Sequence, residues 1–187
     1  LRVLGAEVAE VFADLDRAHG VDLRTEVDVK EITTADGVAT GLLLSDGSTV
    51  DADAVLVAAG AVPNLTLAES AGLDIDGGGV LVSAGLQSSD PDIFVVGDIA
   101  NAEHPVLRRR VRTEHWANAL NQPAVAVTNL LGNKAEYTNL PYFFTDQYDL
   151  GMEYSGLADD YDKVVFRGDV DGREFVVFWL DADSRVL

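Results

Sequence analysis

The sequence predicts an α/β protein in which buried, parallel-type strands are joined to an antiparallel meander and followed by a small α+β region. Two runs of consecutive apolar residues, 54–59 and 93–96, are typical of strands that are buried on both faces of a parallel sheet. Asp-Gly pairs at 36–37 and 46–47 separate short alternating segments and predict hairpins. From residue 137 onward, aromatic residues and a further Asp-Gly turn change the composition and predict a separate small domain.

Composition and charge restrict the class of protein further. The chain has 187 residues, 48% of them hydrophobic, which suits one or two globular domains with a sizeable core. Its formal charge of −19, from 13 basic and 32 acidic residues, argues against nucleic acid or an anionic membrane as a partner. No run approaches the roughly 18 apolar residues of a membrane span and no signal peptide is visible, so we expect a cytoplasmic protein. The chain lacks cysteine, so no disulfide is expected. Its three histidines, His19, His104 and His115, are scattered along the sequence, so no metal site is expected either.

Residues 1–63 predict one helix and a series of strands. Apolar residues recur at helical spacing up to Ala18, and Gly20 stands where a left-handed residue ends a helix. The strands around the two Asp-Gly pairs predict a three-stranded antiparallel meander, and the buried strand after it ends in a loop with Gly60 and Pro63. The helical stripe is Val8, Val11, Phe12, Leu15 and Ala18, and the strands are Val21–Leu23, Val27–Thr33, Val38–Leu44, Ser48–Val50 and Ala54–Ala59.

A short helix, Leu65–Ala71, and a strand, Val80–Val82, lead into the decapeptide Ser-Asp-Pro-Asp-Ile-Phe-Val-Val-Gly-Asp at 89–98. Its apolar run predicts a buried strand. Gly97 lets a ligand approach the backbone, and Asp98 places a carboxylate just beyond the strand's carboxyl end, where open α/β sheets bind ligands. A carboxylate there can accept hydrogen bonds from sugar hydroxyls. An ordinary strand that ends in a Gly-Asp turn is the alternative.

Four of the 13 basic residues fall within five positions, at Arg108, Arg109, Arg110 and Arg112. One interpretation is a solvated loop whose charges balance nearby carboxylates, since charge runs usually face water. The other is a docking site for an acidic protein, because a local positive patch would orient a partner that an acidic chain otherwise repels.

A long helix is predicted from Thr113, with Thr113 as its N-cap and Glu114 in its first turn. Pro123 removes one backbone N–H from the middle of this helix, so a kink or break is expected near Asn121. The predicted core stripe is Trp116, Leu120, Val127 and Leu131, with a stop at Gly132-Asn133. The predicted strands beyond it are Tyr142–Thr145, Leu150–Tyr154, Lys163–Arg167 and Glu174–Leu180, the last two joined across Asp171-Gly172.

Three motifs carry a resemblance to a known family. They are the decapeptide at 89–98, Thr-Glu-His-Trp-Ala-Asn-Ala at 113–119 and Pro-Tyr-Phe-Phe-Thr-Asp-Gln at 141–147. The first resembles the second FAD signature of flavoprotein reductases with two dinucleotide-binding domains. Together the motifs are similar to the NAD(P)H-dependent ferredoxin, rubredoxin and putidaredoxin reductases. The resemblance implies a fragment, because the family's two Gly-x-Gly-x-x-Gly loops are absent and Gly77-Gly78-Gly79 is followed by a strand-like run instead of a helix.

The resemblance implies remnants of two dinucleotide-binding (Rossmann-like) domains and a final reductase domain. Residues 1–63 would be the C-terminal part of the NAD(P)-binding domain, including the meander. Residues 64–136 would be the C-terminal part of the FAD-binding domain. Residues 137–187 would be a small α+β domain of the reductase or dimerisation type, itself truncated.

The resemblance also implies which residues surround the cofactors. No side chain is expected to act as an acid or base, because the chemistry belongs to FAD and NAD(P)H. The four clustered arginines would dock the electron-carrier protein. Phe144 stands where the family usually has tryptophan, so the ring is kept and the indole N–H is lost. The implied contacts are Gly97 and Asp98 to the ribityl or pyrophosphate region of FAD, Glu114, His115 and Trp116 to the flavin ring, Phe144 to one flavin face and Gly60 to the nicotinamide side.

The implied activity is electron transfer from NAD(P)H through FAD to a ferredoxin-like iron–sulfur protein. The alternatives are a related flavin enzyme with oxygen, a quinone or a disulfide as acceptor, and a cofactor-free fragment without activity. For the fragment we expect neither FAD nor nicotinamide in stoichiometric amount, since the missing Gly-rich loops supply most phosphate contacts. Its orphaned faces are expected to be buried against another chain, as in a homo-oligomer, or against absent segments.

Overall fold

The computed structural model describes residues 4–187, which form two compact units that divide after Gly60. The first unit contains a helix and a three-stranded sheet. The second contains two helices, a four-stranded sheet and two hairpins. This mixture of a few helices with several small sheets agrees with the predicted α/β class. Residues 4–187 include no helix that could span a lipid bilayer.

Helix α1, Gly5–Ala18, confirms the first predicted helix. Val8 and Leu15 of the predicted stripe are buried, whereas Ala18 at its end is exposed. Gly20 adopts a left-handed conformation (φ +84°), and the helix ends in a Schellman motif. The Gly20 N–H donates to the Arg17 carbonyl at 3.0 Å, and the Val21 N–H donates to the Asp16 carbonyl at 3.0 Å.

The predicted meander is confirmed, with strands β1 (Val29–Ala35), β2 (Val38–Leu44) and β3 (Thr49–Asp51) in antiparallel order. Asp36 and Gly37 both have positive φ, as a tight two-residue hairpin turn requires. A short turn joins each strand to the next, so the strands pair by local reversal of the chain.

Two other predicted strands of this unit, Val21–Leu23 and Ala54–Ala59, are wrong. Both segments are irregular, and Leu56 is 92% exposed. No described strand runs beside either segment, so their backbone groups have no ladder partner. An apolar run becomes a strand only where a neighbouring strand takes its hydrogen bonds.

The second unit begins with helix α2, Thr66–Ser70, whose end is again a Schellman motif with Gly72 at φ +71°. Its four-stranded sheet consists of β4 (Ile75–Asp76), β5 (Gly79–Val82), β6 (Ala100–His104) and β7 (Arg109–Val111). They lie in this order, and only the β5–β6 pair is parallel. The hydrophobic core lies between this sheet and the helices and includes Val80, Val82, Leu86, Val95, Ala100 and Ala126.

The predicted strand at 93–96 is wrong, although the segment is packed into the core. Only Phe94 forms a bridge, to Gln87, and the Val95 N–H donates to the Leu86 carbonyl at 3.0 Å. The segment therefore folds back on the loop before it instead of joining the sheet. The parallel strand β6 begins two residues after Asp98, so this carboxylate precedes a strand and does not follow one.

Helix α3, Trp116–Leu130, begins later than predicted, so Thr113 is not its N-cap. The Thr113 hydroxyl and carbonyl instead accept hydrogen bonds from the Asn118 side chain, ahead of the first helical turn.

The predicted core stripe of α3 is wrong: Trp116, Leu120, Val127 and Leu131 are between 51% and 74% exposed. The buried face instead carries Asn118, Gln122 and Ala126, whose four-residue spacing follows the helix and whose polar groups bond to neighbouring loops.

The helix runs without interruption through Pro123, so the kink or break predicted near Asn121 is not a break. Pro123 has no N–H to donate to the Ala119 carbonyl, and the Asn121 side chain donates to the Ala117 carbonyl of the same helix at 2.9 Å. Gly132 (φ +83°) confirms the predicted stop and completes a third Schellman motif, with bonds to the Asn129 and Thr128 carbonyls.

Residues 137–187 form two antiparallel hairpins, which confirms the strands predicted there. All of these residues are described, and none lies in a helix, so the helical part of the expected α+β domain is absent. The hairpins are β8 (Tyr142–Gln147) with β9 (Leu150–Ser155), and β10 (Lys163–Asp169) with β11 (Glu174–Leu180).

Candidate functional site

The Gly97–Asp98 turn is held from behind by helix α3. Gly97 is buried, has φ +77° and opens a single 3-10 turn that ends at Ile99. Its N–H donates to Oε1 of Gln122 at 2.7 Å, and Gln122 is only 2% exposed. The Asp98 side chain is exposed. The turn is therefore fixed on its inner side while the carboxylate stays free to accept hydrogen bonds from a ligand.

The amino end of α3 lies beside this turn. His115 is the residue before the first helical turn, and no side chain caps the helix there. Its ring packs against Phe143 of β8, with ring centroids 5.2 Å apart. Nδ1 of His115 is buried and has no hydrogen-bond partner among the described residues. Uncapped helix N–H groups give this end a partial positive charge, which favours a negatively charged ligand group.

Burial lowers the pKa of His115 below its ordinary value, and the nearby Asp98 carboxylate opposes this shift. The unfolded chain thus binds a proton at His115 more readily than the folded chain does. The contribution of His115 to stability is complete above its ordinary pKa of 6.5 and is lost as the pH falls from there through the lowered value.

We therefore expect the melting temperature of His115→Phe to fall less than that of the parent between about pH 7.5 and about pH 5.5. Thermal unfolding followed by circular dichroism at both pH values measures the two differences. Equal losses in parent and variant would show that His115 is not the titrating group.

An exposed aromatic pair lies next to His115. Trp116 and Phe144 meet edge to face with centroids 6.4 Å apart, and they are 68% and 51% exposed. Behind them, Phe143 stacks on Tyr154 at 4.9 Å, and Tyr154 contacts Trp179 at 5.3 Å. The alternation of β8 thus turns Phe143 toward the protein and Phe144 toward solvent. The pair offers an apolar surface to a planar aromatic ligand.

The arginine cluster divides into different roles. Arg109 pairs with Asp159 at 2.8 Å, and Arg110 pairs with Glu103 at 3.0 Å. Arg110 also donates to the Val82 and Asn101 carbonyls, and Arg112 pairs with Glu114 at 2.9 Å. Among residues 4–187, the guanidinium of Arg108 has no hydrogen-bond or ion-pair partner. An open groove of about 480 Å³ lies along Arg108, Arg109 and Arg110, with His104 in its wall.

Gly60 belongs to the first unit, whereas the residues above belong to the second. It is exposed, has φ +90°, and has no atom near the position a Cβ would take. Within residues 4–187, no group of three or more histidine and acidic side chains is arranged to hold a metal ion.

The residues of the second unit fit a bound flavin. The exposed carboxylate of Asp98 can accept hydrogen bonds from sugar hydroxyls, and the exposed pair of Trp116 and Phe144 can cover a ring. Gln122 was not predicted as part of this site. Its four-residue spacing from Asn118 and Ala126 was the available signal, and it was hidden because the apolar stripe on the opposite face is the stronger pattern.

The chain belongs to the pyridine nucleotide-disulphide oxidoreductase family, whose sequence profile matches residues 1–123. A second profile, described as reductase C-terminal, matches residues 142–187. The family resemblance predicted from the three motifs is therefore confirmed.

Several relatives of the chain are named as ferredoxin reductases. Putidaredoxin reductase of Pseudomonas putida is 37% identical, with 100% of this chain and 44% of that protein covered. The ferredoxin–NAD(+) reductase component of the p-cumate 2,3-dioxygenase system of Pseudomonas putida is 41% identical, with 100% and 45% covered. A ferredoxin reductase from Rhodopseudomonas palustris has a similar structure, with a TM-score of 0.91, 34% identity and 97% and 45% coverage. The chain thus spans less than half the length of these relatives.

Proposed function

We propose that this chain is part of an FAD-dependent reductase that takes electrons from NAD(P)H and passes them to a ferredoxin-like iron–sulfur protein. The observation that carries the proposal is a single surface of the second unit, on which the Asp98 turn, the amino end of α3 and Phe144 of β8 meet. The relatives named as ferredoxin reductases support it, as does a covalent complex of putidaredoxin reductase with putidaredoxin, whose reductase is similar in structure (TM-score 0.91, 35% identity).

In the proposed enzyme, FAD would accept two electrons from NAD(P)H and release them one at a time to the acceptor protein. The chain binds and orients this cofactor and supplies no acid or base. The carboxylate of Asp98 accepts hydrogen bonds from the ribityl or pyrophosphate region, and Gly97 allows close approach. Backbone N–H groups between Glu114 and Trp116 stabilise negative charge on the ring.

Trp116 and Phe144 cover part of the ring and exclude water, which strengthens the electrostatic contacts beside them. In the domain arrangement proposed here, 1–63 contributes to NAD(P) binding, with Gly60 on the nicotinamide side. Residues 64–136 contribute to FAD binding and 137–187 form the reductase C-terminal domain. We propose a cytoplasmic location for the protein.

The acceptor protein would dock at Arg108 and Arg109, which border the open groove. Arg110 and Arg112 are bound to backbone carbonyls of other segments and so act within the fold. With a chain charge of −19, a local cationic site would orient an acidic electron carrier that the rest of the surface repels.

The full-length protein is therefore expected to be yellow from bound flavin and to reduce a ferredoxin with NADH or NADPH. Absorbance spectra and stopped-flow reduction measure the two properties. Parallel assays with oxygen, a quinone and a disulfide test the other acceptors. A flavoprotein that reduces one of these faster than any ferredoxin would contradict the proposed acceptor, and a colourless full-length protein would contradict the proposal as a whole.

In the same protein, replacing Arg108 and Arg109 with serine should lower kcat/KM for the ferredoxin by about threefold to tenfold and leave NAD(P)H-to-dye activity unchanged. The effect should shrink as ionic strength rises beyond about 0.15 M, where screening acts over about 8 Å. Arg185→Ser is the control, because Arg185 is also exposed but lies outside the cluster. Loss of both activities together would exclude a docking role.

A further inference from the structure

The side chain of Arg112 ties three segments of the second unit together. It is only 23% exposed. Nε donates to the Gly77 carbonyl at 3.2 Å, and Nη1 donates to the Asp98 carbonyl at 3.1 Å and to the Glu114 carboxylate at 2.9 Å. One guanidinium thus holds the loop before β5, the Asp98 turn and the approach to α3.

The Gly77-Gly78-Gly79 triplet provides the space for this side chain. A Cβ at Gly79 would lie 2.7 Å from Cδ of Arg112 and 2.8 Å from the Ile99 carbonyl oxygen. Such distances are shorter than van der Waals contact, so only glycine at 79 lets the arginine stem pass over the strand. The triplet leads into strand β5 and not into a helix, so it lacks the context of a phosphate loop. The positions of Arg112 and of the Ile99 carbonyl together account for its last glycine.

The turn that carries Asp98 is short and needs support from outside. A single 3-10 turn of three residues contributes little stability by itself. Gln122 holds its first residue through the Gly97 N–H, and Arg112 holds its second through the Asp98 carbonyl. Two bonds on successive residues fix the direction in which the Asp98 side chain leaves the backbone. The same guanidinium pairs with the Glu114 carboxylate at 2.9 Å, which ties the turn to the approach to α3.

We infer that Arg112 is a positioning residue of the FAD site, which acts by holding Asp98 in the orientation that accepts the cofactor's hydroxyl groups. It is not a docking residue for the acceptor protein. This role rests on the proposed function, and it distinguishes Arg112 from Arg108, whose guanidinium has no partner among the described residues.

The test measures FAD affinity of the full-length apo-protein by fluorescence titration, alongside its thermal unfolding. Arg112→Met should raise the Kd for FAD about tenfold or more, because the turn loses one of its two supports. Arg112→Lys keeps the charge but cannot reach three acceptors, so an increase of about threefold is expected. Arg167→Met is the control, since Arg167 is exposed on β10, and should leave the Kd unchanged.

A second comparison separates positioning from general support of the fold. If Arg112 acts through Asp98, then Arg112→Met should raise the Kd by less than about twofold in an Asp98→Ala background. Full additivity of the two changes would overturn the inference, and so would a parental Kd in Arg112→Met. Should the methionine variant not fold, a parental Kd in Arg112→Lys overturns it. A parent protein that binds no FAD would instead refute the proposed function.

Discussion

Replacing Asp98 with alanine should weaken FAD binding to the full-length protein by about tenfold to hundredfold. A hydrogen bond to a charged group contributes about 1.5 to 3 kcal/mol, and alanine removes the acceptor without filling its place. The fold should persist, because the Asp98 side chain is exposed and the turn is held through backbone groups. Titration of the apo-protein with FAD measures the loss, and circular dichroism checks the fold.

Two further variants make this result specific to the carboxylate. Asp98→Asn keeps one acceptor oxygen and removes the charge, so its Kd should lie between those of parent and alanine variant. Asp92→Ala removes another exposed carboxylate from the same stretch and should leave the Kd unchanged. If Asp98→Ala lost its thermal transition while the affinity of the folded fraction stayed parental, Asp98 would be a structural turn residue.

Replacing Gln122 with methionine should lower the free energy of unfolding by about 1 to 3 kcal/mol. Methionine fills a similar volume but leaves the buried N–H of Gly97 without an acceptor. For a chain of this size the melting temperature should fall by about 2 to 4 °C for each kcal/mol. FAD affinity should also decrease, because the Asp98 turn loses its inner support.

Gln147→Met is the matched control, since Gln147 lies on β8 and its side chain forms no hydrogen bond to a described residue. Its effect on unfolding should stay within about 0.5 kcal/mol. Denaturant unfolding of both variants measures the difference. Equal stability of Gln122→Met and Gln147→Met would show that the bond from Gly97 to Gln122 contributes nothing to the fold.

Elements defined by local chemistry were predictable from the sequence. The hairpins at 36–37 and 171–172 are formed by turn residues whose neighbouring segments pair with each other, so the partner of each strand lies next to it along the chain. The strands predicted at 54–59 and 93–96 are different, because a parallel strand takes its partner from a distant part of the sequence. Their apolar composition indicated burial, and for 93–96 that burial is observed without a strand.

Helix α3 shows why the candidate site could be predicted only in part. The motif around Trp116 located the amino end of the helix, but the apolar stripe indicated the wrong face as buried. Asn118 and Gln122 are buried because their polar groups satisfy loops that come close only after folding. The same holds for Arg112, whose three acceptors come from separate segments of the chain. Charge clustering found the arginine, and tertiary contacts define its role.

The three helices share one kind of ending, a left-handed glycine whose bonds close the last turn: Gly20, Gly72 and Gly132. These bonds involve only residues within a few positions of each glycine, so each helix is terminated by its own sequence and not by the sheet it packs on. Loops after the glycines can therefore differ in length among homologous proteins without changing the length of the helices. In α3 this local ending fixes the length of the helix between Gly132 and its amino end beside Asp98. The site at that end can therefore be preserved while the connection from α3 to β8 varies.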